Sequence, residues 1–181
     1  KKTAKTSVEA LKRLKVTPKI LTGDQADVAA SICRRVGIPS EIVLTGVDLD
    51  QMTDNELSKT VENIHVFAEL TPGQKVRIVS ALRQNGHTVG FLGDGINDIP
   101  ALCESNVGIS VDTAVDAAKD AADVVLLQKD LGVLEQGILE GRKTFTNMLK
   151  YIKITASSNF GNIFSVVCAS AFLPFLPMTS L

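Results

Sequence analysis

Two carboxylates and two glycines follow a short apolar run in the middle of the chain. Residues 88–92 have the length and the β-branched content of a buried strand, and Gly93, Asp94 and Gly95 follow directly. Asp98 comes four residues after Asp94, where a helix is predicted to begin. Carboxylates at the carboxyl end of a parallel strand suit Mg²⁺ with a phosphate as a further ligand. The spacing therefore predicts Mg²⁺–phosphate chemistry; the alternative is a strand-to-helix turn whose aspartates only cap the helix.

A hydroxyl, a cation and an amide are expected at the same edge. Thr22, Gly23 and Asp24 end another apolar run, where the Thr22 hydroxyl and backbone N–H groups can hold phosphoryl oxygens. Lys75 lies in the first turn of a predicted helix, where a cation opposes the helix dipole and a phosphate would relieve the conflict. Asn97 can donate to a phosphate or orient a carboxylate. Taken singly, T-G-D is also typical of a turn, and a lone lysine such as Lys75 is by default a solvated surface residue. The hydroxyl, the cation and the carboxylates in this order along the chain indicate phosphate binding more specifically than any one of them.

Short apolar runs alternate with stretches of helical periodicity along most of the chain. Strands are predicted at residues 19–21, 41–44, 64–68, 88–92, 107–111 and 123–127. Helices are predicted at residues 7–14, 25–36, 54–61, 72–85, 98–105 and 113–121. This alternation predicts an α/β fold with a doubly wound parallel sheet, which binds ligands beyond the carboxyl ends of its strands.

The C-terminal part has a different pattern. An amphipathic helix is predicted from about residue 133, and residues 154–181 carry no charged side chain. Residues 154–173 would be about 30 Å long as a helix, which matches the hydrocarbon core of a bilayer. Basic residues precede this stretch, as expected of a cytoplasmic flank, and Pro174 and Pro177 follow it. We predict a transmembrane helix here; a buried core helix is the alternative.

Two amides lie within that apolar stretch. Asn159 and Asn162 are three residues apart and therefore share one helix face. Polar groups inside a membrane helix indicate an ion path, or alternatively hydrogen bonds between helices.

The net charge and the first residues of the chain indicate what kind of protein this is. The net charge of −1 over 181 residues argues against a nucleic-acid-binding protein, which would show a basic surface. The chain opens on two lysines without an initiator Met, so we expect it to be a piece of something longer.

The motifs resemble a known family. L-T-G-D, T-P-G-Q-K and G-D-G-I-N-D-I-P-A-L look like the later motifs of the haloacid-dehalogenase superfamily, in the form used by P-type cation-transporting ATPases. The stretch K-Y-I-K-I-T-A-S-S-N-F-G-N-I-F-S is similar to the magnesium-transporting subfamily. The resemblance implies a haloacid-dehalogenase-like, Rossmann-like phosphorylation domain over residues 1–132 and a stalk helix over 133–153. Residues 154–181 would be the fifth membrane helix and the start of the next loop.

In this family an aspartate takes the γ-phosphoryl group of ATP and is later hydrolysed, which drives ion movement. The resemblance implies that Thr22 binds the phosphoryl group, that Lys75 neutralises its charge, and that Asp94 and Asp98 hold Mg²⁺. The implied catalytic residues are Thr22, Gly23, Asp24, Lys75 and Asn97. Asn159 and Asn162 match positions that contribute to the site of the transported cation.

The chain departs from the family in one essential respect. The nucleophile motif D-K-T-G-T does not occur in the 181 residues, and no nucleotide-binding or actuator domain is recognisable. Asp48 and Asp50 imitate a D-x-D nucleophile, but their predicted loop position makes them a decoy. We therefore expect this chain alone to be catalytically inactive.

The implied function is that of a fragment of an ATP-driven cation pump, with Mg²⁺ as the transported ion. Its partners would be ATP or phosphate, the transported divalent cation, the lipid membrane and the remaining domains of the pump, but not nucleic acid. The parent would be a multi-pass plasma-membrane protein with residues 1–153 in the cytoplasm. The alternatives are a soluble phosphatase of the same superfamily and a non-catalytic Mg²⁺- or phosphate-binding module.

Overall fold

The computed structural model describes residues 2–128 and 130–172. These residues divide into two compact units, with the boundary between Glu135 and Gln136. The first unit contains all the described strands. The second contains the greater part of one long helix.

Within the described residues, six parallel strands form two sheets, so every predicted strand is confirmed. The strands are β1 (Ile20–Leu21), β2 (Val43–Thr45), β3 (Val66–Ala68), β4 (Gly90–Leu92), β5 (Val107–Val111) and β6 (Val124–Leu126). The strand orders are β1-β3-β2 and β4-β5-β6, with all described pairs parallel. The α/β class is thus confirmed, whereas the single sheet expected from the sequence is present as two three-stranded sheets.

Helices connect the strands. They are α1 (Lys2–Arg13), α2 (Ala26–Val36), α3 (Gly46–Gln51), α4 (Asp54–Asn63), α5 (Pro72–Gln84), α6 (Ile99–Glu104), α7 (Asp116–Asp120) and α8 (Leu131–Phe172). A short 3₁₀ helix, Ile96–Asp98, leads into α6. The predicted helices are confirmed, but α3 occupies a stretch that the sequence indicated as a loop. Its first turn is stabilised by a capping box between Thr45 and Asp48.

The central strand β3 is covered on both faces, as its fully apolar sequence requires. Phe67 joins the cluster formed with α4 and α5, whereas Val66 and Ala68 join the cluster formed with α1 and α2. All three residues have no solvent exposure. This arrangement is the doubly wound packing that the alternation of elements predicted, at least for the first sheet.

Helix α5 packs against the cores of both sheets. Ile78 and Leu82 lie in the cluster beside the first sheet, and Val76 and Val79 pack in the cluster beside the second. The helix begins with Thr71 as N-cap and a proline at its first position, two features of the T-P-G-Q-K motif. Because α5 is held from two sides, its N-terminal turn has a defined place between the two sheets.

The predicted transmembrane helix over residues 154–173 is not supported by the described residues. Among them, no helix combines the length with the apolarity that crossing a bilayer requires. The prediction rested on the absence of charge, but uncharged polar and small residues lower the hydropathy of this part of α8. They are Thr155, Ser157, Ser158, Asn159, Gly161, Asn162, Ser165 and Ser170. The expected helix break at Pro174 and Pro177 lies outside the described residues.

Gly46 provides a test of the packing around α3. A Cβ at this position would lie 2.5 Å from the Glu69 carbonyl oxygen and 2.7 Å from Gln74 Oε1. We expect Gly46→Ala to lower the free energy of unfolding by about 1–3 kcal/mol because the backbone must shift. Gly73→Ala is the matched control, since a Cβ there meets nothing within 4 Å. Urea unfolding followed by circular dichroism should separate them; equal stability of the two variants would contradict the assigned contact.

Candidate functional site

A partly buried ion pair lies at the centre of the candidate site. The Lys75 ammonium donates to Asp98 Oδ1 at 2.7 Å, and the side chains are only 11% and 17% exposed. The other carboxylate oxygen of Asp98 accepts from the Gly95 N–H at 3.4 Å. The structure therefore brings together two residues that are 23 positions apart and that the sequence assigned to one site.

The position of Asp98 changes the interpretation of Lys75. A cation in the first turn of α5 opposes the helix dipole, and the sequence suggested that a phosphate resolves the conflict. In the structure, the carboxylate of Asp98 already lies against the ammonium group. A protein anion thus compensates Lys75, and a phosphoryl group would have to share or displace this contact.

Gly93 allows Asp98 to approach the end of β4. A Cβ on Gly93 would lie 2.5 Å from Asp98 Cβ, so no other residue fits without movement. Asp94, the next residue, is exposed, and its carbonyl oxygen accepts from the Val115 N–H at 3.3 Å. Both carboxylates of the predicted metal pair therefore lie beyond the carboxyl end of β4, as expected for a ligand site in a parallel sheet.

Asp94 and Asp98 line the same cleft, which has a volume of about 310 Å³. The rest of its lining is Leu92, Gly93, Val111, Leu126, Asp130 and Leu131. The described residues contain no group of three or more His, Cys, Asp or Glu side chains placed to hold a metal. Carboxylates at the edge of a cleft suit Mg²⁺, which keeps several waters and is held through one or two carboxylates plus substrate phosphates.

The Thr22–Asp24 loop is bonded to the segment that leads into α5. The carbonyl of Thr22 accepts from the Leu70 N–H at 3.0 Å, and that of Asp24 accepts from the Glu69 N–H at 2.9 Å. The Thr22 hydroxyl donates to Asp24 Oδ2 at 3.0 Å and accepts from the Asp24 N–H at 3.1 Å. Gly23 between them is exposed. These backbone bonds therefore hold the loop beside the segment that leads into α5, the helix that carries Lys75.

The predicted residues are not all in mutual contact. Within the described part of the chain, Thr22 and Asp24 form no hydrogen bond or ion pair with Lys75 or Asp98. Asn97 is exposed in the 3₁₀ helix. Asn159 and Asn162 are exposed on α8, in the second unit. The geometry thus supports a core of Lys75, Asp98 and Asp94, with the Thr22 loop tied to it through the backbone.

Asp48 and Asp50 have structural partners. The Thr45 hydroxyl donates to Asp48 Oδ2 at 2.6 Å and the Thr45 N–H donates to it at 2.9 Å. These two bonds hold the pKa of Asp48 below its ordinary value of 3.8. Asp50 accepts from Gln74 Nε2 at 2.7 Å. Both carboxylates therefore hold α3 in place, which agrees with their interpretation as a decoy, although they lie in a helix and not in a loop.

Sequence reasoning missed two residues that organise the site. Gln74 was noted only as part of the T-P-G-Q-K motif, yet its amide donates to the Gly46 carbonyl at 2.9 Å and so ties α5 to α3. Ser110, fully buried in β5, donates to the Gly93 carbonyl at 3.0 Å. The T-P-G-Q pattern gave a signal for the first, whereas nothing in the alternation of β5 marks the second.

The ion pair gives a stability prediction. We expect Lys75→Met to lower the free energy of unfolding by roughly 1–3 kcal/mol, because it leaves the partly buried Asp98 carboxylate without its charged donor. Adding Asp98→Asn should recover part of that loss. Lys143→Met is the matched control: Lys143 bonds Glu140 at 2.6 Å, but both side chains are about two-thirds exposed. Its effect should stay below about 0.5 kcal/mol in urea unfolding; equal losses for the two lysines would contradict the role of burial.

Comparison with known proteins places this site in a family. The sequence model of the haloacid dehalogenase-like hydrolases matches residues 1–105. Over all 181 residues the chain is 56% identical to the "Magnesium-transporting ATPase, P-type 1" of Salmonella typhimurium and to that of Escherichia coli strain K12. The chain covers 20% of each of these proteins, so it spans about a fifth of their length.

The fold comparison agrees with the sequence comparison. The crystal structure of a zinc-transporting PIB-type ATPase in its E2.Pi state matches with a TM-score of 0.68 and 29% identity. The match covers 93% of this chain and 23% of that one. The chain belongs to the haloacid dehalogenase-like hydrolase family, and its similarity to P-type ATPases extends over its full length.

Proposed function

We propose that this chain is the phosphate- and Mg²⁺-binding part of an ATP-driven P-type cation pump, and that the pump transports Mg²⁺. The observation that carries the catalytic part of this proposal is the contact of Lys75 with Asp98 beside Asp94. The choice of Mg²⁺ rests on the 56% identity to two magnesium-transporting ATPases. That identity includes the residues of α8, which favours a pump over a soluble phosphatase.

Each residue of the site has a role in this proposal. Lys75 supplies positive charge against the phosphoryl oxygens, while Asp98 holds its ammonium group in place before phosphate arrives. The Thr22 hydroxyl and the backbone of the Thr22–Asp24 loop orient the phosphoryl group. Asp94 and Asp98 would hold Mg²⁺, which neutralises charge on the phosphate when bound. Positioning and charge stabilisation are the main requirements of phosphoryl transfer.

In this proposal the nucleophile is carried by a strand of a segment outside these residues. β1 and β4 are edge strands of their respective sheets. Leu21 of β1 packs against the same hydrophobic cluster as Phe91 of β4, so the two strands border a common core. We propose that a strand bearing an aspartate adds beside them, which would place its carboxylate near Thr22 and Asp94.

The remaining parts of the proposal concern the whole pump. The parent would lie in the plasma membrane with residues 1–153 on the cytoplasmic side. ATP, the transported cation, lipid and the other pump domains would be its partners. Asn159 and Asn162, on one face of α8, would contribute oxygen ligands to the transported cation.

Phosphoenzyme formation tests the catalytic proposal. In the full-length protein that contains this chain, we expect Lys75→Ala and Asp94→Asn each to lower steady ATP turnover by at least about 100-fold. Turnover and acid-stable labelling from radiolabelled ATP would be measured together. Asp48→Asn is the control, since Asp48 only caps α3, and it should keep turnover within about twofold of wild type.

Two results would contradict the roles proposed for these residues. One is near-normal turnover with Lys75→Ala or Asp94→Asn. The other is acid-stable label on the present chain alone, which would place a nucleophile within its 181 residues.

Transport measurements test the two amides of α8. We expect Asn159→Ala and Asn162→Ala to reduce transport of a radioactive divalent cation into vesicles by about tenfold each, because each removes a ligand oxygen. Ser165→Ala is the control on the same helix, since the Ser165 hydroxyl donates to the Gly161 carbonyl within the helix. Wild-type transport in both asparagine variants would remove these residues from the cation site.

A further inference from the structure

Ser110 is the most deeply buried polar residue in the part of the chain that the structure describes. Three polar or charged residues there are buried, Ser7, Lys75 and Ser110, with exposures of 7%, 8% and 0%. A buried hydroxyl needs a partner, because leaving it unpaired costs free energy. The hydrogen-bond partner of Ser110 therefore indicates the role of this residue.

The partner of Ser110 is the backbone immediately before Asp94. The Ser110 hydroxyl donates to the Gly93 carbonyl at 3.0 Å, and the Gly93 N–H donates to the Ile109 carbonyl at 3.0 Å. Both peptide groups that flank Gly93 are thus bonded to β5. The bond from the Gly93 N–H continues the β4–β5 ladder, whereas the bond to the Gly93 carbonyl depends on the Ser110 side chain.

These bonds determine the direction in which the Asp94 side chain leaves the backbone. A peptide unit is planar and trans, so fixing the Gly93 carbonyl fixes the whole peptide plane between Gly93 and Asp94. The following plane is fixed as well, because the Asp94 carbonyl accepts from the Val115 N–H at 3.3 Å. With both flanking planes held, the two backbone dihedrals of Asp94 are defined, and so is the direction of its Cα–Cβ bond.

We propose that Ser110 is a positioning residue for Asp94: its hydroxyl orients the Gly93–Asp94 peptide so that the Asp94 carboxylate is held ready for Mg²⁺. This inference rests on the proposed function, in which Asp94 binds the metal. The hydroxyl acts only through the Gly93 carbonyl and touches neither the metal nor the phosphate. Gly93 itself cannot be substituted without displacing Asp98, because a Cβ at position 93 would lie 2.5 Å from the Asp98 Cβ. Ser110 is therefore the residue of this pair whose substitution tests the hydrogen bond.

The test is the Mg²⁺ dependence of phosphoenzyme formation in the full-length protein. We expect Ser110→Ala to raise the half-saturating Mg²⁺ concentration by at least about tenfold, as is usual when a group that supports a metal ligand is removed. Ser110→Thr keeps the hydroxyl and should stay within about threefold of wild type. A half-saturating concentration does not depend on how much of the protein folds, so partial misfolding of a variant leaves the comparison valid.

Ser7→Ala is the matched control. It removes a buried hydroxyl from α1, whose Val8 packs in the cluster beside the first sheet, and should leave the half-saturating Mg²⁺ concentration unchanged even where the thermal midpoint falls. An unchanged Mg²⁺ dependence in Ser110→Ala would overturn the inference, as would equal shifts in Ser110→Ala and Ser110→Thr. A wild-type protein that forms no Mg²⁺-dependent phosphoenzyme would instead overturn the proposed function, and the role of Ser110 with it.

Discussion

Helix α5 is the constraint on which the site depends. Its apolar side chains pack into the cores of both sheets, which are not joined to each other by strand pairing among the described residues. Lys75 is in the first turn of this helix, so the packing of α5 fixes the position of the Lys75 backbone relative to both β1 and β4. The ion pair with Asp98 then follows from geometry, because the close approach at Gly93 puts the carboxylate within reach.

The loops at this edge are held mainly by backbone and capping bonds. Residues Glu69 and Leu70 bond the Thr22–Asp24 loop, and Gln74 bonds the start of α3. Glu69 adopts a left-handed conformation, with φ of 55°, and its side chain accepts from the Ala26 N–H at the start of α2. A residue in this conformation carries some strain, which persists only where the surroundings hold it. The turn after β3 thus connects the starts of α2, α3 and α5.

Much of the fold followed from periodicity, and the exceptions have physical causes. The strands and most helices were predictable because apolar runs and capping residues are local signals, as at Thr71. Helix α3 was missed because it is short and its capping box uses Asp48, whose spacing with Asp50 suggested a nucleophile. The membrane span is not supported among the described residues because absence of charge is not the same as apolarity, as the amides at Asn159 and Asn162 illustrate.

The candidate site was predictable in its membership but not in its contacts. Motif spacing identified Lys75, Asp94 and Asp98, yet no spacing rule says that the lysine bonds one aspartate directly. The role of Ser110 could not be predicted from the sequence for another reason. Its partner is a backbone carbonyl at the end of a neighbouring strand, and pairing between strands is a long-range property.

The order of the strands along the chain has a consequence for how the molecule is made. The first sheet uses only residues before α5, and the second uses only residues after it. During synthesis from the N-terminus, β1, β2 and β3 can therefore pair while β4 is still inside the ribosome. Asp94 and Asp98 are therefore translated after Lys75, so the ion pair of the site forms only when the second sheet is made.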